Sequence, residues 1–401
     1  MHFEFLKSIN DIGEHEWNAL WLSNYPFTKH QFLRALENSG STTAETGWTP
    51  QHMVVRQNGT LVFAMPLYLK THSYGEYVFD WSWADAYARY GEEYYPKLIN
   101  AIPFTPATGP RFAMAEGLAN MLGTQEDNDS FCLWSNVVEA LQAHCADINA
   151  SGFHSLFPSA NSHAPWQKSK LLQRKGCQFH WFNRNYADFD DFLGDFSSRK
   201  RKNIRKERLK CANIDICIHP ANEVSEDDWA FFYQLYHATY IKRSGRPGYL
   251  RSEFFLELAQ SMPEQLLLAQ AKVGGKTVAG AIYFRDDECL YGRYWGSAID
   301  IDGLHFETCY YRGIEYAIAN GLKRFDPGAQ GEHKIQRGFQ PVQTTSFHWL
   351  AHPEFQHALE HFCNDEAKEN TRYVEAARKL LPFREDVSCV ADSVLLDSDV
   401  N

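Results

Sequence analysis

Residues Phe325 to Phe339 read FDPGAQGEHKIQRGF. Three glycines sit there among Asp326, Glu332, His333, Lys334 and Arg337, between two phenylalanines. These residue types suit proton transfer at a centre that gains negative charge. Glu332 and His333 are proton acceptors near neutral pH, the imidazole by its ordinary pKa and the carboxyl when burial raises it. Lys334 and Arg337 supply positive charge for an oxyanion or a substrate carboxylate. Asp326 falls at the C-terminal end of a predicted strand, where α/β folds place groups that touch ligands. Gly328 and Gly331 let the backbone turn sharply and a substrate come close. A solvated loop whose charges pair with one another is the alternative. Mixed charge and glycine at a strand end favour the functional reading.

The elements that must hold this loop are readable around it. Ser225 caps a long helix, DDWAFFYQLYHATYIKR. LLLAQAK and TVAGAIYF form a hairpin across Gly274-Gly275, and CLYGRYWGS supplies a third strand. A helix over Phe306–Ala319 stops at Asn320-Gly321, and the strand LKRFD leads into the loop. PVQTTSFHWL reads as a closing strand, and a final helix runs from Glu354. In SAIDIDGLHFETCYY, a helix start after a strand offers an anion site, although a plain strand–loop–helix connection explains it as well.

The first half follows similar logic. Helical patterns cover His15–Leu22 and Thr28–Asn38, with Thr28 as cap and Gly40 past the end. HMVVRQ and TLVFAMPLYLK flank Asn58-Gly59, a strong hairpin signal. A helix over Trp134–Ala150, a strand over Phe153–Phe157, a helix over Lys168–Lys175 and a strand over Gln178–Phe182 follow. Two glycine-turn hairpins half a chain apart imply a duplicated α/β domain, since solenoid repeats are far shorter.

Three further clusters carry chemistry. THSYGEYVFDWSWADAYARYG contains His72, Tyr74, Glu76, Tyr77, Asp80, Trp83 and Tyr87, which suit a groove for a cationic or amide-rich acceptor, or an aromatic domain interface. PFTPATGPR reads as a rigid loop in which Arg111 could bind a carboxylate or phosphate. SSRKRKNIRKERLK places Lys200, Arg201, Lys202 and Arg205 on a helix, either as a phosphate clamp or as a solvated linker. His348, His352, His357 and His361 have no HExxH spacing and no cysteine partner, so no metal site is expected.

The chain has 401 residues and a net charge of -11, so two domains are expected and nucleic-acid binding through overall charge is not. DNA is therefore not an expected partner. No apolar run is long enough to span a bilayer, no signal peptide is visible, and nine scattered cysteines point to reduced thiols in the cytoplasm.

FDPGAQGEHKIQRGF, THSYGEYVFDWSWADAYARYG with YYPKL, and PFTPATGPR resemble a family of predicted bacterial N-acyltransferases, often labelled peptidoglycan biosynthesis or recognition proteins. That family is related to the Fem peptidyltransferases and the GNAT N-acetyltransferases, and the similarity runs from about Phe5 to Arg384. The resemblance implies an α/β (α+β) protein of tandem duplicated GNAT-like domains, each a mixed, mostly antiparallel sheet flanked by helices. The expected division is 1–185, 186–385 with a basic linker helix 197–210, and a tail 386–401.

The resemblance also implies acyl transfer to an amine of a small molecule or peptide, from acyl-CoA as co-substrate or from aminoacyl-tRNA. A non-catalytic recognition protein for a cell-wall peptide is the reading from another class. Acetyl-CoA enzymes of the superfamily carry an Arg/Gln-x-x-Gly-x-Gly/Ala loop before their third helix, and here that stretch reads AIDIDGLHFET. In the transfer reading Glu332 or His333 is the base, assisted by Asp326, with Glu307 as a second base. Tyr294 or Tyr310 protonates the leaving group. Lys200, Arg201, Lys202, Arg205, Lys334 and Arg337 hold the donor.

Overall fold

The structure, a computed structural model, describes residues 1–115, 128–169, 171–329, 331–387 and 389–390. The stretch ADSVLLDSDVN, within the expected tail, lies outside the described residues.

The chain forms two compact units. The first is Met1–Gly176 with Gln343–Thr371, and the second is Cys177–Val342 with the chain from Arg372 on. The units are therefore not the two contiguous stretches expected, because Gln343–Thr371 returns to the first unit.

The first unit contains β1 (His2–Leu6), β2 (Trp48–Pro50), β3 (His52–Gln57), β4 (Thr60–Met65), β5 (Tyr68–Lys70), β6 (Lys97–Asn100), β7 (Ala113–Met114) and β8 (Gly152–Leu156). β1-β3-β4-β7 make a small sheet. The β3–β4 hairpin turns on Asn58 and Gly59, both at positive φ, as the Asn-Gly signal predicts. β4 ends at Met65 rather than running on through YLK, and β5 instead pairs with β2 and β6. β8 pairs in parallel with β6, and its other side takes Ser346–Leu350 antiparallel. That pairing is the physical reason the returning segment belongs to this unit.

Two corrections fall here. Lys29, not Thr28, is the N-cap of helix His30–Asn38, without a side-chain bond, and Thr28 closes the preceding 3-10 turn. The helix expected over Lys168–Lys175 is absent: a short helix ends at Lys168, and Leu172–Phe182 is one long strand, β9. Strand pairing overrides the helical propensity of LLQRK, since Trp181 and Phe182 bond antiparallel to Phe325 and Arg324.

The second unit continues with β10 (Asp215–Pro220), β11 (Leu266–Val273), β12 (Lys276–Arg285), β13 (Cys289–Ser297) and β14 (Arg324–Asp326), in the order β10-β11-β12-β13-β14-β9. β15 (Gln340–Leu350) begins here and continues into the first unit. Pairings are antiparallel except β13 with β14, which run parallel over Cys289–Tyr291. The sheet is thus mixed and mostly antiparallel, flanked by the helices Glu226–Ser244, Ser252–Ser261 and Arg312–Ala319, which is the fold class expected. Ser225 caps the first of these, its side chain accepting from Asp228 N–H, and Gly245 ends it at φ 69°. Phe325, Phe339, Tyr283, Leu290 and Ile314 lie in the core of this unit.

The helix after β13 is not uniform. Leu304–Phe306 is α-helical, Glu307–Tyr311 is a π-turn, and Arg312–Ala319 is α-helical again. Such a turn inserts an extra residue per ring and re-aims neighbouring side chains, a device frequent at functional sites.

Candidate active site

The site lies in the second unit, where β13 and β14 part. Their pairing stops at Tyr291 and Asp326, while β13 runs on to Ser297. The Arg293 guanidinium fills the opening. It donates to both Asp326 carboxylate oxygens, at 3.3 and 3.0 Å, and to the backbone carbonyls of Gly292 and Asp326. Gly328 N–H adds a bond of 2.8 Å to the Asp326 carboxylate. Burial would raise the Asp326 pKa, but Arg293 and nearby His180 hold it well below the carboxylate range. Asp326 is therefore a fixed anion that anchors the loop, not a proton carrier at neutral pH.

Beyond it, Gly331 at φ 105° opens a 3-10 turn, Glu332–Arg337. A Cβ on Gly331 would come within 2.5 Å of the His333 ring, so glycine is required for that ring to lie where it does. His333 Nε2 is 3.0 Å from the Tyr310 hydroxyl. The His333 ring also packs against Phe306 at 5.4 Å between centroids. Burial, then Arg337 and Lys334, lower the His333 pKa below 6.5, so the imidazole is neutral at pH 7. The π-turn residue Tyr310 is buried, and burial raises its phenol pKa.

Two cations support the loop. Lys334 is buried and donates 2.7 Å to the Gly328 carbonyl; desolvation brings its pKa down to about 7. Arg337 bonds bidentately to Glu207, at 3.1 and 2.5 Å, donates to the His333 carbonyl at 2.7 Å, and lies 3.5 Å over the Phe306 ring. Glu207, on helix Ser198–Leu209, also accepts from the Tyr311 hydroxyl. His305 completes the group, its ring 5.4 Å from both Tyr310 and Trp295. A half-exposed neutral imidazole among cations can take a proton from an amine while negative charge develops beside it.

The other expected residues fall elsewhere. Glu332 is exposed and accepts from the Tyr373 hydroxyl at 2.8 Å. Tyr294 packs between Tyr236 and Phe255. Glu307 is buried and bound by Arg208, at 2.7 Å, and Arg312. It belongs to an ion network with Glu315 beside a cleft of about 450 Å³ lined by Arg205, Arg208 and Arg312. On the basic helix Lys200 meets Gln336 and Arg205 meets Asp190. Arg199, Arg201, Lys202 and Lys206 have no partner among the described residues.

In the first unit the aromatic motif closes on itself. Lys97, opposite Lys70 in the β5–β6 pairing, is buried and donates to Glu76 at 2.7 Å, to Ser73 and to Asp80. Tyr94 O–H donates to Asp80 at 2.7 Å. Despite desolvation, Lys97 holds Asp80 at about 2, whereas burial lifts Glu76 to about 7. Lys70 lies 3.9 Å over Trp48, and its Nζ is 3.3 Å from His72 Nδ1. Trp83 and Tyr87 are core residues, Trp83 against His348 and Tyr87 stacked on Phe355. Tyr74 is exposed and contacts Trp81, and Tyr77 has φ 63°. Arg111 is fully buried and donates to the carbonyls of Leu156, Ala107 and Pro110, which makes it a loop staple rather than a free anion binder.

Among the described residues no group of His, Cys, Asp and Glu is arranged to hold a metal, and no helix is long and apolar enough to cross a membrane. His348 is buried with its Nδ1 2.8 Å from His154 Nδ1.

The sequence profile of the FemAB-like family, described as peptidoglycan biosynthesis/recognition, matches residues 8–385, and the chain belongs to that family. The resemblance carried by the three motifs is thereby confirmed. None of the curated proteins compared with the chain matches it. Among solved structures it is similar to FemX, with a TM-score of 0.51 and 10% identity over 90% of this chain and 100% of that one. A tandem GNAT protein from the clavulanic acid biosynthesis pathway aligns with a TM-score of 0.44 and 10% identity, covering 88% of this chain and 99% of that one. L-PGS from Bacillus licheniformis aligns with a TM-score of 0.44 and 12% identity, covering 84% and 97%. The FemX likeness shows a shared fold. Membership in the family connects the chain with peptidoglycan biosynthesis or recognition.

Proposed function

We propose that this protein transfers an acyl or aminoacyl group to an amine, with His333 as the proton carrier and Tyr310 as the residue that fixes its ring. The observation that carries this reading is the 3.0 Å contact between His333 Nε2 and the Tyr310 hydroxyl, beside Lys334 and Arg337. With Nε2–H directed at the phenol oxygen, Nδ1 is the basic nitrogen. The amine nitrogen attacks the donor carbonyl and a C–N bond forms. The amine proton passes to Nδ1, and the negative oxygen of the tetrahedral intermediate is stabilised by the local positive field. The carbon–oxygen or carbon–sulfur bond then breaks, and the leaving group takes the proton back from Nδ1.

For the donor we infer an aminoacyl-tRNA ester. The helix Ser198–Leu209 carries Arg199, Lys202 and Lys206 along one exposed face without partners, and Glu207 of the same helix holds Arg337 at the site. The turn before Leu304 bears Asp300, which repels a pyrophosphate, and Asp302, which Lys210 already pairs at 2.6 Å. Acyl-CoA is the competing donor, and a peptide amine of a cell-wall precursor is the acceptor class the family favours.

The test is donor binding by the purified protein, with thermal shift for CoA thioesters and filter binding for aminoacyl-tRNA. Binding of charged tRNA that weakens with salt, and weakens uniformly in an Arg199, Lys202 and Lys206 charge-neutralised variant, supports the reading. Saturable stabilisation by a CoA thioester alone assigns the other donor. Neither, with no transfer to any amine, favours a recognition protein.

A further inference from the structure

The end of helix Ser198–Leu209 packs against the start of the helix that carries Tyr310. A Cβ on Gly303, the residue before that helix, would lie 3.6 Å from the Glu207 carbonyl and 3.7 Å from Cys211 Sγ. In the same turn Asp302 pairs with Lys210 at 2.6 Å, while Asp300 is exposed and bonds to none of these groups. Two consecutive residues, Glu207 and Arg208, then reach the two ends of the π-turn Glu307–Tyr311. Arg208 donates to Glu307, its first residue, at 2.7 Å and through Nε at 3.1 Å. Glu207 accepts from the hydroxyl of Tyr311, its last residue. The Arg208 guanidinium also lies 4.3 Å over the Phe189 ring and 5.6 Å over that of Tyr311.

Glu207 works on the other partner too. It binds Arg337 at 2.5 and 3.1 Å, and Arg337 donates to the His333 carbonyl at 2.7 Å. The same guanidinium lies 3.5 Å over Phe306, which packs on the His333 ring. One helix end therefore holds both halves of the Tyr310–His333 pair while its own side chains stay outside that contact. The other charges around it are matched: Glu307 and Glu315 each face Arg208 and Arg312, and Arg205 is taken by Asp190 at 2.7 Å. An ion network that served stability alone would not need to end on the first and last residues of a π-turn, an irregularity frequent at functional sites.

We infer that Glu207 and Arg208 are positioning residues for the Tyr310–His333 pair. They fix the π-turn at both ends, and Glu207 fixes the His333 turn through Arg337. The inference rests on the transfer reading above and deepens it. A reacting group displaced by about 1 Å can cost about a hundredfold in rate, so this clamp acts on kcat and not on ligand affinity. The alternative is that the two residues serve folding alone.

The experiment labels the histidines of the full chain with nitrogen-15 and reads the His333 tautomer from long-range proton–nitrogen spectra at neutral pH. The resonance is assigned by its absence in His333→Asn. The expected result is a fixed Nε2–H tautomer in wild type and in Lys210→Ala, and a mixture in Tyr310→Phe, Glu207→Gln and Arg208→Gln. Should Arg208→Gln misfold, the pair Arg208→Gln/Glu307→Gln takes its place, since it leaves no buried charge without its partner. A fixed tautomer in either clamp variant overturns the inference for that residue. A mixture already in wild type, or a fixed tautomer in Tyr310→Phe, overturns it for both. Acyl transfer is measured on the same proteins. In both clamp variants kcat should fall about tenfold or more with KM little changed, and Arg208→Gln should add nothing in the Tyr310→Phe background. Tautomer mixing in the clamp variants, with no transfer to any amine by wild type, would sink the transfer reading and leave the clamp on His333 standing. Transfer at unchanged kcat in the clamp variants does the reverse.

Discussion

Nε2 of His333 and the hydroxyl of Tyr310 stand 3.0 Å apart, joined across 23 residues of chain by a π-turn on one side and a glycine-led 3-10 turn on the other. Neither element alone makes a site. The helix turn aims the phenol, and the loop turn brings the ring to it.

Removing the base should therefore cost more than removing its positioner. His333→Asn is expected to lower kcat for acyl transfer by about 10²–10⁴-fold, the usual worth of a general base. Tyr310→Phe should lower kcat about tenfold with KM little changed, and should move the acidic limb of the pH–rate profile. Steady-state kinetics with melting curves as a folding control check both. Equal kcat values for His333→Asn and wild type would remove His333 from the chemistry.

The pH profile has a fixed sign. His333 must be neutral to act, and burial with Arg337 and Lys334 lowers its pKa below 6.5. The acidic limb of the activity profile should therefore be centred below pH 6.5. In Arg337→Gln the limb should rise toward 6.5. A wild-type limb centred above 6.5 would contradict the assignment.

Gly331→Ala should damage catalysis more than stability. At φ 105° an alanine is strained by about 1–3 kcal/mol, and its Cβ meets the His333 ring. A several-fold or greater loss of kcat with an unaltered Kd for donor is expected. Unchanged turnover would show that the ring position is not critical.

Buried imidazoles set the acid stability. His154 and His180 have pKa values of about 3 through burial, and His348 is pushed well down too. The unfolded chain binds protons at these rings from pH 6.5 downward and the folded one does not. Stability is therefore fully present above 6.5 and declines by about 1.4 kcal/mol per pH unit per ring as pH falls toward the folded values. Urea unfolding at pH 7, 6 and 5 tests this, and His180→Asn should flatten the slope. Equal stability at the three pH values would refute it.

Much of this was legible in the sequence where the signal is local. Asn58-Gly59 and Gly274-Gly275 specify their hairpins, Ser225 its helix, and FDPGAQGEHKIQRGF the loop with His333 and Arg337. What escaped depends on distant partners. Glu207 is 130 residues from Arg337, and nothing about a glutamate in a basic run marks it as the arginine's anchor. Glu76 and Asp80 read as a groove, yet Lys97, a lone lysine in a strand, closes on both. The strand β9 was hidden behind the helical propensity of LLQRK, and no periodicity announces a π-turn.

The return of Gln343–Thr371 to the first unit has a consequence for synthesis on the ribosome. Ser346–Leu350, the antiparallel partner of β8, is translated only after every residue from Cys177 to Val342. Until then one side of β8 is an unpaired strand edge, the kind of surface that invites wrong pairing. Folding of the amino-terminal unit must therefore wait for the carboxy-terminal part of the message. A gene cut at codon 176 should yield an aggregating fragment, however complete its 176 residues look on paper.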